Sequence, residues 1–91
     1  MNQITKTANL TEIVDRINCR EDFVAFVLKL QHEFKENPGA WENRDLPSFL
    51  EAIAGWVGDM DGYFQNQGKE PPAQPTWKLL GSILLAARIY E

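Results

Sequence analysis

Phe23, Phe26, Val27, Leu30 and Phe34 recur through "REDFVAFVLKLQHEFK" at i, i+3, i+4, i+7 and i+11. A repeat of 3.6 residues places all five on one face of a helix, and that face needs another element to cover it. No Val/Ile/Thr-rich alternating stretch argues for a strand, so the cover must also be helical. Asn18 and Glu21 have the N-cap-to-N3 spacing of a capping box, with Asn in place of Ser or Thr, and Asp22 adds favourable charge near the same end. Asn37-Pro38-Gly39 predicts the stop, because Pro disfavours α backbone at the residue before it and Gly tolerates a positive φ.

A second long helix is expected from about Leu46 to about Phe64, with Asp45 as N-cap and Pro47 in the first turn, where its missing N–H costs nothing. Its apolar stripe reads Phe49, Leu50, Ile53, Trp56, Val57, Met60 and Phe64. Gly55 and Gly58 inside it point to a close helix–helix approach or a loosened final turn. "QNQGKEPPAQP" (65–75) then reads as a loop stiffened by three prolines. The last helix starts near Thr76 or Trp77 and reaches Tyr90. It is apolar on two faces, Trp77/Leu80/Leu84/Ala87 and Leu79/Ile83/Ala86/Tyr90, which predicts a place in the middle of a small bundle. Before these three, Leu10, Ile13, Val14 and Ile17 outline a short amphipathic helix after a polar lead-in.

The expected fold is all-α, a small bundle of three main helices plus a short N-terminal one. Residues 1–19 form a lead-in with the short helix, and residues 20–91 a single helical domain. Phe26, Leu30, Leu50, Ile53, Trp56, Leu80 and Leu84 are the expected shared core. Ninety-one residues allow one modest core and no second. No apolar run approaches the roughly 18–20 residues that span a membrane, and the start of the chain lacks the apolar core of a signal peptide. A single cysteine excludes an internal disulfide and fits a reducing cytoplasm.

Charge is unevenly placed. Residues 21–70 hold ten acids against four bases, while the segments on either side each balance at +1. No Lys/Arg stripe is present to neutralise phosphates, so nucleic acid is not an expected partner. A basic protein domain is.

Catalytic and metal chemistry find little support. Asp59, Asp61 and Glu70 fall at positions 1, 3 and 12 of an EF-hand loop, but Tyr63 and Phe64 occupy positions 5 and 6, and the helical pattern runs straight through. His32, the only histidine, points to solvent, with no second metal ligand beside it. Cys19 reads as a small half-buried hydrophobe, and the pairs Glu21/Asp22 and Glu33/Glu36 lie on polar faces, where nothing would split their pKa values. No cofactor, metal or enzymatic activity is expected.

Trp41-Glu42-Asn43 admits two readings. Trp41 can plug one end of the bundle, with Asn43 or Asp45 capping the next helix and Glu42 near its positive end. Alternatively, a Trp ringed by Glu42, Asn43 and Asp45 has the make-up of a protein-binding hot spot with a polar rim.

"REDFVAFVLKL", "NPGAWENRDLPSFLEAIAGWVGDMDGYF" and "PTWKLLGSILLAARIYE" together resemble a family of small bacterial proteins, a domain of unknown function. The most specific parts are Trp41-Glu42-Asn43, Phe49-Leu50-Glu51-Ala52, Trp56 with Asp59, Trp77, and Tyr90-Glu91. The resemblance implies no activity, cofactor or catalytic residue. Small stand-alone bacterial families of this kind often prove to be immunity proteins, which neutralise a toxin. The expected function is therefore an acidic cytoplasmic inhibitor that occludes the active site of a basic toxin, a nuclease among the candidates. Glu42, Asp45, Glu51, Asp59 and Asp61 would supply the steering field, and Trp41 and Tyr63 the contact. The alternatives are a structural or adaptor subunit, for instance a homodimer through the last helix, and a phage or host inhibitor of a defence nuclease.

Overall fold

The computed structural model describes residues 9–91, so residues 1–8 of the expected 1–19 lead-in lie outside the described residues. Four helices follow one another: α1 (Leu10–Asp15), α2 (Arg20–Glu36), α3 (Leu46–Asn66) and α4 (Trp77–Ala87), with a single 3-10 turn at Pro38–Ala40. Among the described residues there is no strand. The fold is all-α.

Most of the helix ends are locally determined. The Asn9 side chain accepts from the Glu12 N–H at 2.9 Å at the start of α1, the Asp45 carboxylate from the Ser48 N–H at 2.9 Å at the start of α3, and the Thr76 hydroxyl from the Leu79 N–H at 2.9 Å at the start of α4. Each satisfies a backbone donor that the first helical turn leaves without a partner. α2 departs from expectation. Its N-cap is Cys19, whose side chain makes no capping bond, and the Asn18 N–H donates to Asp22 Oδ2 at 2.9 Å. The helix starts one residue late, so Asp22 rather than Glu21 stands at N3 and reaches back. Cys19 is correspondingly exposed, not half-buried.

α3 runs two residues beyond its predicted end and closes with a Schellman motif. Gly68 has φ +69, its N–H reaches Gln65 O at 3.0 Å, and the Lys69 N–H reaches Phe64 O at 2.9 Å. Gly39, by contrast, lies in the 3-10 turn and has no positive φ.

α4 is the central element and packs against α1, α2 and α3. Leu79, Gly81 and Ala87 on it are buried. Gly81 lets the turn after α1 approach: a Cβ there would lie 2.6 Å from the Ile17 side chain. Val14 and Ile17 join Phe26, Leu30 and Trp41 in one buried cluster, so the core runs across residues 19 and 20.

The rotation of α3 corrects the expected core. Ala52 and Trp56 are its buried residues, while Leu50 is 53% exposed and Ile53 half-buried. Leu80 and Leu84 of α4 are likewise only half-buried. The Ala52/Trp56 face lies one residue, about 100°, from the Ile53/Val57 line. α3 docks on the side that buries the indole of Trp56 and leaves the aliphatic line turned outward. No close backbone approach joins α2 to α3.

Candidate functional site

The Trp41-Glu42-Asn43 segment is bound into the fold at every residue. Trp41 is 7% exposed. Its ring lies edge-on to Phe34 of α2, with centroids 4.9 Å apart, and stacks on Phe49 of α3 at 5.7 Å. The indole N–H donates to Glu33 Oε1 at 2.9 Å, and the same oxygen receives Arg88 Nη1 at 3.3 Å. Trp41 therefore fills the junction where α2 and α3 meet the end of α4. It offers no open ring to a partner.

Asn43 does not cap the helix that follows it. Its side-chain amide donates to Ala87 O and Tyr90 O, both at 2.9 Å, while the backbone N–H groups of Glu42 and Asn43 both donate to Arg88 O at 2.9 Å. Four N–H bonds converge on carbonyls at the C-terminal end of α4, where the last turn has no intrahelical donors left. Positive N–H dipoles also suit the negative end of the helix. The capping of α3 falls to Asp45 alone. Its carboxyl is held below its ordinary pKa by the Ser48 N–H and then by the Ser48 hydroxyl, both of which stabilise the charged form.

The remaining expected site residues divide between two sides of α3. Glu51 and Asp59, eight residues apart, share one side. Glu51 helps to line a cavity of about 400 Å³ with Asn43, Ser48, Gly55, Tyr90 and Glu91. The Tyr90 hydroxyl donates to Asp59 Oδ2, and its ring passes over Gly55, where a Cβ would come within 3.3 Å of it. Gly55 is thus a point of close approach, whereas Gly58 has open space around it. Asp61 lies about 200° round the helix from Asp59, so the two do not act as a pair. Tyr63 is 42% exposed and packs against Trp56 and Phe64, with centroids 5.2 Å away in each case. Helix α3 runs unbroken through residues 59–66, as its apolar pattern requires. Glu42, Asp45, Glu51, Asp59 and Asp61 are all exposed.

The Tyr90–Asp59 bond has a pH signature. Donation to Asp59 is the main cause that raises the Tyr90 pKa above 10.0, followed by desolvation and the Asp59 charge. A raised folded pKa means that this contribution is fully present below the pKa of the unfolded chain and is lost as pH rises through the folded value. Tyr90→Phe should lower the melting temperature at pH 7, and the gap from the parent protein should close above about pH 10. A gap that persists undiminished in alkali would show that the hydroxyl does not carry the effect.

Sequence reasoning missed Glu33 and Arg88, the one ion pair among the described residues. Glu33 lies seven residues after Phe26 and three after Leu30, which extends the buried line of α2 and was a usable signal. Its place on a polar face is corrected accordingly: it is half-buried between Trp41 and Arg88. Arg88 carries no comparable local signal.

Among the described residues no helix is long and apolar enough to cross a membrane, and no cluster of three His, Cys, Asp or Glu side chains could hold a metal. No curated protein and no solved structure matches the chain. A family model, described as Family of unknown function (DUF7660), matches residues 19–91, and the chain belongs to that family.

Proposed function

We propose that this chain is a small, non-catalytic protein of the bacterial cytoplasm that binds a basic protein domain, as an immunity protein binds and occludes a toxin. One observation carries the reading. Glu42, Asp45, Glu51 and Asp61 are exposed along one long helix and the segment leading into it, and the ion pair Glu33–Arg88 uses none of them. From Leu46 to Asn66 there are three acids and no Lys or Arg. An unneutralised field on a rigid element raises the rate of encounter with a cationic surface more than it strengthens the final complex.

The test is co-expression with the product of each adjacent gene in the native genome, scored by growth of the host cell. One of those products should be toxic alone and harmless with this protein. Charge reversal should then use Glu51→Lys with Asp61→Lys, because reversing Asp59 would also break its bond to Tyr90. Association with the neutralised product should slow about tenfold or more at low salt, and its salt dependence should flatten. If no adjacent product is neutralised, or if the double reversal leaves the rate untouched, the acidic inhibitor reading is wrong.

A further inference from the structure

Helices α1 and α3 both pack on α4, yet no close backbone approach joins them to each other. Between them lies a cavity of about 250 Å³. Ser82 and Ala86, small and one turn apart on α4, form part of its floor and keep it open, while Leu85 beside them and Val14 of α1 add apolar surface. Trp56 and Tyr63, two turns apart on α3 with ring centroids 5.2 Å from each other, line it from the other side. Trp56 is only 6% exposed. A buried indole N–H normally finds an acceptor, as that of Trp41 finds Glu33 Oε1 at 2.9 Å. That of Trp56 has none among the described residues, and the Ser82 hydroxyl beside the same cavity donates to none of them either. An indole N–H can only donate, so whatever completes this cavity must bring an acceptor.

We propose that this cavity is a binding site for a small uncharged molecule that carries a carbonyl acceptor on an apolar frame. The carbonyl oxygen would take the Trp56 N–H and the Ser82 hydroxyl, and the frame would lie against Leu85, Ala86 and the Tyr63 ring. Charge argues against an ion of either sign. Asp15 and Arg88 both line the cavity, and Arg88 is already committed, through Nε to Leu85 O at 3.0 Å and through Nη1 to Glu33 at 3.3 Å. A carboxylate ligand would meet Asp15, and an ammonium would meet Arg88. Size argues against a large molecule, since the cavity falls below the roughly 300–1,000 Å³ of drug-sized sites. The site is separate from the inhibitor reading, because none of Glu42, Asp45, Glu51 and Asp61 lines it. The larger cavity beside Tyr90 makes no such demand. Its donors are spent: the Asn43 amide on two carbonyls, the Tyr90 hydroxyl on Asp59 and the Ser48 hydroxyl on Asp45.

The probe is N,N-dimethylbenzamide, whose carbonyl accepts and whose nitrogen has no hydrogen to donate. Benzoate and benzylamine keep the ring and replace the neutral head by an anion and a cation. The readout is the indole N–H resonance of Trp56 in the full-length chain, assigned by triple-resonance NMR. Dimethylbenzamide should move that resonance downfield and saturably, with a Kd in the millimolar range for so small a ligand. Benzoate and benzylamine should each bind at least about tenfold more weakly. Ala86→Leu fills the floor and leaves the N–H in place, so it should abolish the shift. Ser82→Leu should do the same from the adjoining turn and serves as the second variant if Ala86→Leu alters the melt. A Trp56 resonance that no probe moves, equal binding of all three probes, or a shift that persists in both leucine variants would each overturn the site. So would a preference of about tenfold for acetyl-leucine methylamide over dimethylbenzamide, which would assign the cavity to the main chain of a partner.

Discussion

Trp41→Ala is expected to destabilise the fold by about 3–5 kcal/mol, the range for removing a large buried aromatic. Three losses combine. The ring bridges Phe34 and Phe49, and no close backbone approach between α2 and α3 replaces that bridge. The cavity cannot collapse without drawing the two helices together. Removing the indole N–H also takes a donor from Glu33, leaving Arg88 as that carboxylate's remaining side-chain partner. A domain of this size has a total stability of about 5–15 kcal/mol, so the variant should be partly unfolded at modest temperature. Trp41→Phe separates the terms, since it keeps most of the ring packing while losing the donor and only the outer part of the indole. Chemical denaturation of both variants checks this. A Trp41→Ala protein that melts like the parent would return Trp41 to the surface and revive its role as a binding anchor.

Asn43→Asp should be more damaging than Asn43→Ala, although Asp is the closer match in shape. Alanine removes two donors and leaves Ala87 O and Tyr90 O short of partners, at a cost of about 1–3 kcal/mol. Aspartate removes the same donors and sets a carboxylate against two carbonyl oxygens at the negative end of α4. That surrounding raises the folded-state pKa of the new carboxyl above its unfolded value. The extra penalty is therefore absent below the unfolded pKa and grows as pH rises through the folded one. Below about pH 4 the neutral acid can donate one hydrogen bond, and Asn43→Asp should then approach Asn43→Ala. The check is a pair of melting series against pH, with the parent protein measured at each point because the Asp45 cap also weakens in acid. If Asn43→Asp is no worse than Asn43→Ala at pH 7, the amide is not the group that holds the end of α4.

The contrast between Asn43 and Asp45 shows where sequence reading succeeds. Asp45 caps a helix that begins at the next residue, and its partner Ser48 is three positions away, within reach of any local rule. Asn43 carries a side-chain oxygen equally able to cap and stands close by, yet its amide donates to partners 44 and 47 residues distant. Nothing local distinguishes the two. The same holds for the site: the acids of α3 were legible as an exposed set, and helix rotation alone separates Asp61 from Asp59, but that Asp59 is taken up by Tyr90 depends on the docking of the C-terminal segment.

By itself the sequence determined the four helices, the Asp45 cap of α3, the proline-stiffened loop that follows α3 and the central place of α4. All of these follow from interactions within about four residues or from the width of one helix's apolar surface. The tertiary structure alone decided which side of α3 faces inward. Leu50, Ile53 and Val57 compete with Ala52 and Trp56 for the same neighbour, and periodicity admits both sets because they overlap within one broad apolar arc. Docking through Trp56 buries the larger ring, lets Gly55 receive Tyr90 and brings Phe49 onto Trp41. Those gains come from residues on other elements, so no reading of α3 in isolation could rank the two faces, and the one left over became its exposed apolar line.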